Sequence, residues 1–166
     1  MNAFTDTEYH FHPKGDGVDH INIYSKGKTP LGRWLTNFAL APFELDDHGI
    51  FESVEGYWYW LKTGKQHEAL RLLFGVEAKR AGKSFTRVEY EGDFDADIKR
   101  AIRAKLLQHP KMLNSLIDST LPLTHYYVYG YSEDNCKVTP AGYEWITEYI
   151  EEVRATCQAK GWRANV

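Results

Sequence analysis

The chain has 166 residues, the size of one domain built around a single hydrophobic core. Hydrophobic residues make up 43% and charged residues 26%, close to globular averages, which excludes long disorder, collagen-like repeats and low-complexity architecture. The net charge of −3 excludes strong non-specific coating of DNA, so any contact with nucleic acid must come from a local basic patch.

The chain opens on residues 1–19, which carry glycine, proline and scattered charge without a hydrophobic period. This predicts an N-terminal arm that precedes one domain over 20–166. Alternating residues with β-branching over 20–24 predict the first strand of a small sheet. A hairpin is expected over 43–51, with Gly49 in the left-handed position of its turn.

An aromatic helix is predicted after the hairpin. Ser53 is expected to cap a helix that runs to about Lys62, with Gly64 as its stop. Four further helices are predicted, at 66–74, 76–82, 95–108 and 110–118. A β-rich stretch over 124–131 and a last helix opened by Thr139-Pro140 complete an α+β, helix-dominated fold.

Cysteine content and the N-terminus predict the compartment. Cys136 and Cys157 form neither a disulfide framework nor a zinc spacing, and no signal segment opens the chain. No apolar run approaches the length of about 20 residues that a membrane span needs. We expect a soluble cytoplasmic protein, a monomer by default, without metal, cofactor or membrane partner.

Within the aromatic helix, Glu55 and Lys62 are seven residues apart. Two turns separate them, so they lie on one face about 10 Å apart along the axis, with Tyr59 between them. A carboxylate and an ammonium beside aromatic walls suit cleavage of a glycosidic bond, where positive charge builds at the anomeric carbon. The same pattern is also typical of two solvent-facing charges above an aromatic core.

The order of short motifs along the chain resembles the NADAR (YbiA-like) superfamily. The motifs are Trp34-Leu35-Thr36-Asn37-Phe38, Ala41-Pro42-Phe43, Ser53-Val54-Glu55-Gly56-Tyr57-Trp58 with Lys62, Ala78-Lys79-Arg80-Ala81-Gly82-Lys83, Arg100-Ala101-Ile102-Arg103-Ala104-Lys105, Gln108-His109-Pro110 and Glu152-Val153-Arg154. The resemblance covers residues 20 to 157 and implies a helix-rich α+β domain. It also implies cleavage of N-glycosidic bonds, either of ADP-ribose on guanine in nucleic acid or of early riboflavin-pathway intermediates.

The resemblance places the family's catalytic glutamate at Glu55 and its lysine at Lys62. Glu55 would stabilise the oxocarbenium-like centre or deprotonate water. Lys62 would protonate the departing base or capture the opened ribose as a Schiff base, and the sequence leaves both roles open.

Ten further residues are expected to contact the substrate. They are Arg33, Asn37, Phe38, Trp58, Tyr59, Arg80, Lys83, Phe94, His125 and Asp134. Arg33, Arg80 and Lys83 would hold a pyrophosphate, because paired cations neutralise and orient it. Trp58 or Trp60 would stack on a base.

This sequence departs from the family pattern at several positions. The family's Ser-x-Glu-His-Tyr has Gly56 in place of histidine, and Tyr59 replaces a usual glutamine, so two polar contacts are lost. Phe94 is favoured over Tyr90 as the equivalent of a family tryptophan. Asp134 is nearest to a late family aspartate, and His125 is an alternative source of that polar group.

A basic stretch provides the case for nucleic acid. Five cations without an intervening acid are Lys99, Arg100, Arg103, Lys105 and Lys111. They form either a phosphate-binding patch or a solvated face balanced by the acidic run over 89–97.

The expected partner is ADP-ribosylated nucleic acid, single-stranded DNA above all, or an ADP-ribosyl nucleoside. Removal of ADP-ribose would counteract a modifying toxin. The alternatives are a riboflavin-pathway glycosidase and a non-catalytic module that binds ADP-ribose or a related nucleotide.

Overall fold

The structure is a computed structural model that describes residues 11–166. Within them the helices are α1 (Pro30–Leu35), α2 (Val54–Lys62), α3 (Gly75–Ser84), α4 (Phe94–Gln108), α5 (Pro110–Asp118) and α6 (Glu144–Ala159). The strands are β1 (Ile21–Asn22), β2 (Phe43–Leu45), β3 (Gly49–Phe51), β4 (Leu123–Thr124), β5 (Tyr126–Ser132) and β6 (Asn135–Pro140). Short 3-10 segments cover Pro13–Gly15 and Glu68–Leu72. The α+β, helix-rich class predicted from the sequence is confirmed.

The strands pair locally in two cases and across the chain in one. They form three two-stranded sheets where one small sheet was expected. The hairpins β2–β3 and β5–β6 are antiparallel, whereas β1 runs parallel to β4 with Ile21 opposite Leu123. Gly49 has φ +79°, the left-handed conformation predicted for the turn of the first hairpin.

Helix α2 lies at the centre of the fold and begins and ends where the sequence predicts. The Ser53 hydroxyl accepts a hydrogen bond of 3.0 Å from the Gly56 amide, and Gly64 follows the helix at φ +94°. Every residue from Val54 to Leu61 is buried, because α3, α4 and the 3-10 segment at Glu68–Leu72 pack around the helix. The first turn of α2 therefore lies within the hydrophobic core.

Three predicted elements differ from the structure, and one helix was not predicted. The helix expected over 66–74 is a 3-10 segment, and α1 was not predicted although Pro30 follows the capping hydroxyl of Thr29. The stretch over 124–131 divides between β4 and β5. Thr139-Pro140 ends β6, so the last helix starts at Glu144.

The first half of the predicted arm, residues 1–10, lies outside the described residues. In the second half, Asp16 is buried, and its carboxylate accepts hydrogen bonds from the amides of Asn22 (2.9 Å) and Lys28 (2.8 Å). These contacts fix the segment that leads into α1. None of the helices within residues 11–166 combines the length and apolar character required to cross a membrane.

Candidate active site

A cavity of about 790 Å³ opens between the end of α1, the first half of α2, the start of α3 and the β5 hairpin. This volume lies in the range of small-molecule and cofactor sites. Seven of the predicted site residues line it, namely Arg33, Asn37, Phe38, Glu55, Trp58, Tyr59 and His125. Residues far apart in the sequence are therefore brought to one place.

Glu55 provides the carboxyl group of the cavity. Its side chain lies in the first turn of α2, the residue is only 9% exposed, and its amide donates to the carbonyl oxygen of Asn37 at 2.9 Å. No hydrogen bond or ion pair to the Glu55 carboxylate is made by the residues that the structure describes. The carboxylate is thus available to a ligand or to water.

The protonated and ionised forms of the Glu55 carboxyl are both populated near neutral pH. Burial raises the pKa of the Glu55 carboxyl to about 7, and the charges of Lys79, Lys62 and Lys83 oppose this rise. A carboxyl with this pKa exchanges a proton readily at neutral pH, which suits general acid and base chemistry.

Trp58 forms the fixed aromatic wall. Its ring meets Phe94 edge-on at 4.7 Å and lies parallel to Trp145 at 6.4 Å. Phe94 does not line the cavity and supports it through Trp58. Trp60, the other tryptophan considered for stacking, packs on Phe51 on another side of α2, so only Trp58 of the two alternatives lines the cavity.

Lys62 lies behind this wall. Its ammonium sits over the rings of Trp58 (4.8 Å) and Phe94 (4.9 Å), and Lys62 is absent from the cavity lining. Burial lowers the pKa of Lys62, with a smaller contribution of the same sign from Arg87, while the charge of Glu55 raises it. Lys62 and Glu55 are therefore coupled electrostatically.

The cation that α3 presents to the cavity is Lys79. It lines the cavity, and its ammonium lies 5.9 Å from the Phe38 ring centre. Arg80 pairs instead with Glu77 at 2.8 Å on the exposed side of the helix. Lys79 and Lys83 are four residues apart and share a face, whereas Arg80 is rotated by about 100°. Neither member of the predicted basic pair, Arg80 and Lys83, lines the cavity, and Lys79 on the same helix does.

Arg33 and His125 line the cavity in defined states. The Arg33 guanidinium donates to the carbonyl oxygens of Gly27 (2.8 Å) and Lys28 (2.9 Å), which fixes it at the rim. Burial lowers the pKa of the His125 imidazole to about 4, so the ring is neutral at neutral pH. Asp134 lies at the turn of the β5–β6 hairpin in an exposed ion pair with Lys14, outside the cavity lining. Of these two candidates, His125 reaches the site.

Four tyrosines that the sequence analysis did not assign to the site also line the cavity: Tyr24, Tyr127, Tyr129 and Tyr143. Tyr143 precedes the first turn of α6 and is 40% exposed. The alternation of β5 was the available signal for Tyr127 and Tyr129.

The predicted basic stretch is not a continuous surface. Lys105 is 2% exposed, and Arg100 pairs with Asp47 (2.6 Å) and Asp97 (3.3 Å). Lys99 lies over the ring of Tyr149. The five cations therefore do not form one continuous patch, because Lys105 is buried and Arg100 is paired with carboxylates.

No family model matches the sequence, and no curated protein matches it. Among solved structures, the NMR structure of the E. coli protein YbiA is similar, with a TM-score of 0.63 and 19% sequence identity. The match covers 91% of this chain and 95% of that chain. The YbiA-like fold implied by the motif order is confirmed by this similarity.

Proposed function

We propose that the protein is an N-glycosidase that removes ADP-ribose from a modified base, with guanine in nucleic acid as the first candidate. The observation that carries the proposal is the buried Glu55 carboxyl, with a pKa of about 7, on a nucleotide-sized aromatic cavity. Hydrolysis breaks the bond between the anomeric carbon and the base nitrogen. Water supplies a hydroxyl group to the carbon and a proton to the base.

Glu55 would take a proton from the attacking water or stabilise the positive charge that develops at the anomeric carbon. Either role requires the ionised carboxylate, and general-base catalysis contributes about 10²–10⁴-fold to the rate. Trp58 and the neutral ring of His125 would limit access of bulk water on one side of the sugar. A partly dry site strengthens the electrostatic effect of Glu55.

The cations would divide between substrate binding and tuning. Lys79 and Arg33 line the cavity and would meet the pyrophosphate, whose charges they neutralise. Lys62 lies over Trp58 and Phe94 and would hold Glu55 in its ionised form through space. Since Lys62 does not line the cavity, this position supports an electrostatic role over Schiff-base formation.

A second candidate is hydrolysis of a small ribosylated metabolite, such as a riboflavin-pathway intermediate. The observation that favours it is that the basic stretch does not form a continuous patch, because Lys105 is buried and Arg100 is paired with Asp47. A free metabolite needs the Glu55 carboxylate and the aromatic walls but no extended basic groove.

The test compares three substrates at equal concentration, with products identified by mass spectrometry. They are an oligonucleotide ADP-ribosylated on guanine, free ADP-ribosylguanosine and a phosphoribosylated pyrimidine. Release of ADP-ribose from the first two supports the proposal, whereas turnover of the pyrimidine alone supports the metabolite enzyme. Tight binding of ADP-ribose without turnover of any substrate would contradict both and identify a binding module.

A further inference from the structure

Three tyrosines form a row that leads out of the cavity. Tyr127 and Tyr129 are two residues apart on β5 and so point to the same face of the hairpin, with ring centres 6.4 Å apart. Tyr24 adds a third ring, 5.9 Å from Tyr127. We call Tyr24, Tyr127 and Tyr129 the tyrosine row.

The row is continuous with the site of Glu55. All three rings line the cavity. Burial raises the pKa of Tyr127, and its neighbours, among them Tyr129, Glu55 and Tyr24, raise it further. Tyr24 and Tyr127 are half-buried, whereas Tyr129 is 58% exposed. The row therefore runs from the edge of the cavity to solvent.

Two cations flank the tyrosine row without a carboxylate partner. Lys26 follows Tyr24 by two residues and lines the cavity. Lys137 on β6 lies directly opposite Tyr129 in the hairpin register. Residues directly opposite in an antiparallel pair share a face, so Lys137 lies beside the Tyr129 ring. Neither lysine forms an ion pair with any residue of the described range 11–166.

The acidic groups of the hairpin turn are already paired. Glu133 pairs with Lys28, and Asp134 pairs with Lys14. The surface around the row thus offers aromatic faces and two unpaired positive charges, and the two carboxylates of the hairpin turn are neutralised. This combination matches a chain of planar rings joined by anionic linkers.

We propose that the tyrosine row is a stacking platform for the bases of single-stranded nucleic acid that lie next to the modified base. Base faces stack on aromatic side chains without sequence-specific hydrogen bonds, while nearby cations contact the backbone. A duplex hides its base faces, so the platform selects unpaired strands. The proposal deepens the proposed function and rests on it, because the modified base would occupy the cavity while its neighbours stack outside.

The platform is tested by binding of an unmodified, fluorescein-labelled ten-nucleotide oligo-dT, followed by fluorescence anisotropy at low salt. Tyr129→Ala is expected to weaken binding by about 5- to 150-fold, the effect of losing one base–aromatic stack. Tyr129→Phe keeps the ring and should bind like the wild type. Trp162→Ala is the control, because Trp162 is an aromatic residue 42% exposed beyond the C-terminal end of α6 and does not line the cavity; it should change nothing.

Two results would overturn the platform. One is equal binding of oligo-dT by wild type and a folded Tyr129→Ala variant, or no binding by either. The other is equal affinity for a duplex of the same length. Lys137→Gln gives an independent readout, since it should flatten the dependence of affinity on salt.

The assay also separates this proposal from the proposed function. The oligo-dT assay reads binding alone, because unmodified oligo-dT carries no ADP-ribose that could be released. Binding through Tyr129 without turnover of any glycosidic substrate would support the platform and contradict the glycosidase. Turnover of the modified oligonucleotide that is unaffected by Tyr129→Ala would support the glycosidase and overturn the platform.

Discussion

The amide of Glu55 donates a hydrogen bond to the carbonyl oxygen of Asn37 across 2.9 Å, which joins the first turn of α2 to the segment that follows α1. Both residues line the cavity. Lys105 on α4 also contacts this segment, because its ammonium donates hydrogen bonds to the carbonyl oxygens of Trp34 (2.6 Å) and Thr36 (2.8 Å). The position of Asn37 at the cavity therefore depends on three hydrogen bonds to the backbone carbonyl oxygens of residues 34, 36 and 37.

Lys105→Met should disturb this segment. The carbonyl oxygens of Trp34 and Thr36 would lose their donor, at a cost of about 1–3 kcal/mol for a buried acceptor left unpaired. We expect a lower denaturant midpoint and a raised KM, because Asn37 and Phe38 follow directly. The matched control is Lys111→Met at an exposed position. Equal effects of the two substitutions in urea unfolding and in KM would contradict the positioning role.

Glu55→Gln should stabilise the protein at alkaline pH. The folded state binds the Glu55 proton more tightly than the unfolded chain, because burial raises its pKa from 4.5 to about 7. Stability due to this group is therefore lost as the pH rises from 4.5 through 7, by about 3 kcal/mol in total. The glutamine variant should match the wild type near pH 4.5 and exceed it at pH 8 in urea unfolding. A gap that is the same at both pH values, or one that the exposed-site control Glu44→Gln also shows, would rule out this ionisation.

Lys79→Ala should weaken binding of ADP-ribose more than Arg80→Ala does. Lys79 lines the cavity, whereas Arg80 pairs with Glu77 on the exposed face of α3. We expect a loss of about tenfold or more for Lys79→Ala, since a charge-assisted hydrogen bond contributes about 1.5–3 kcal/mol. Isothermal titration of both variants with ADP-ribose checks this order. The reverse order would show that the motif, and not the helix face, identifies the binding cation.

Gly82→Ala should be destabilising although alanine is the better helix former. A Cβ atom at Gly82 would lie 2.1 Å from Cγ of Tyr59, so the ring must move. This overpacking costs about 1–3 kcal/mol and outweighs the helix-propensity gain of about 1 kcal/mol. We expect a lower Tm together with weaker ligand binding, because Tyr59 lines the cavity. Ser84→Ala in the same helix is the control, and a Gly82→Ala variant as stable as this control would contradict the contact.

Local signals made much of the central helix predictable. The Ser53 cap, the Gly64 stop and the turn at Gly49 each depend on a few neighbouring residues, and all three are present in the structure. Glu55, in the first turn of the helix, could be located from its place two residues after the cap. Its pKa could not be predicted, because burial of the carboxyl depends on elements distant in the sequence that pack around α2.

Contacts between residues distant in the sequence explain why other predictions were wrong. Thr139-Pro140 has the composition of a helix start, yet Thr139 pairs with Tyr127 across the hairpin. Helix phase explains why Lys79 and not Arg80 lines the cavity, and why Trp58 does so and not Trp60, the other tryptophan considered. Packing also accounts for Gly56, since a Cβ atom there would lie 2.3 Å from the Leu70 carbonyl oxygen. The backbone of the 3-10 segment leaves no room for a side chain at this position.

The most direct test of the central claim is single-turnover release of ADP-ribose from a guanine-modified oligonucleotide by wild type and Glu55→Gln. The wild-type rate should rise as the pH increases through about 7, as the Glu55 carboxyl ionises. Glu55→Gln should be slower by about 10²–10⁴-fold at pH 8 while still binding free ADP-ribose. A Glu55→Gln variant that keeps the wild-type rate would contradict the claim that this carboxylate performs the reaction.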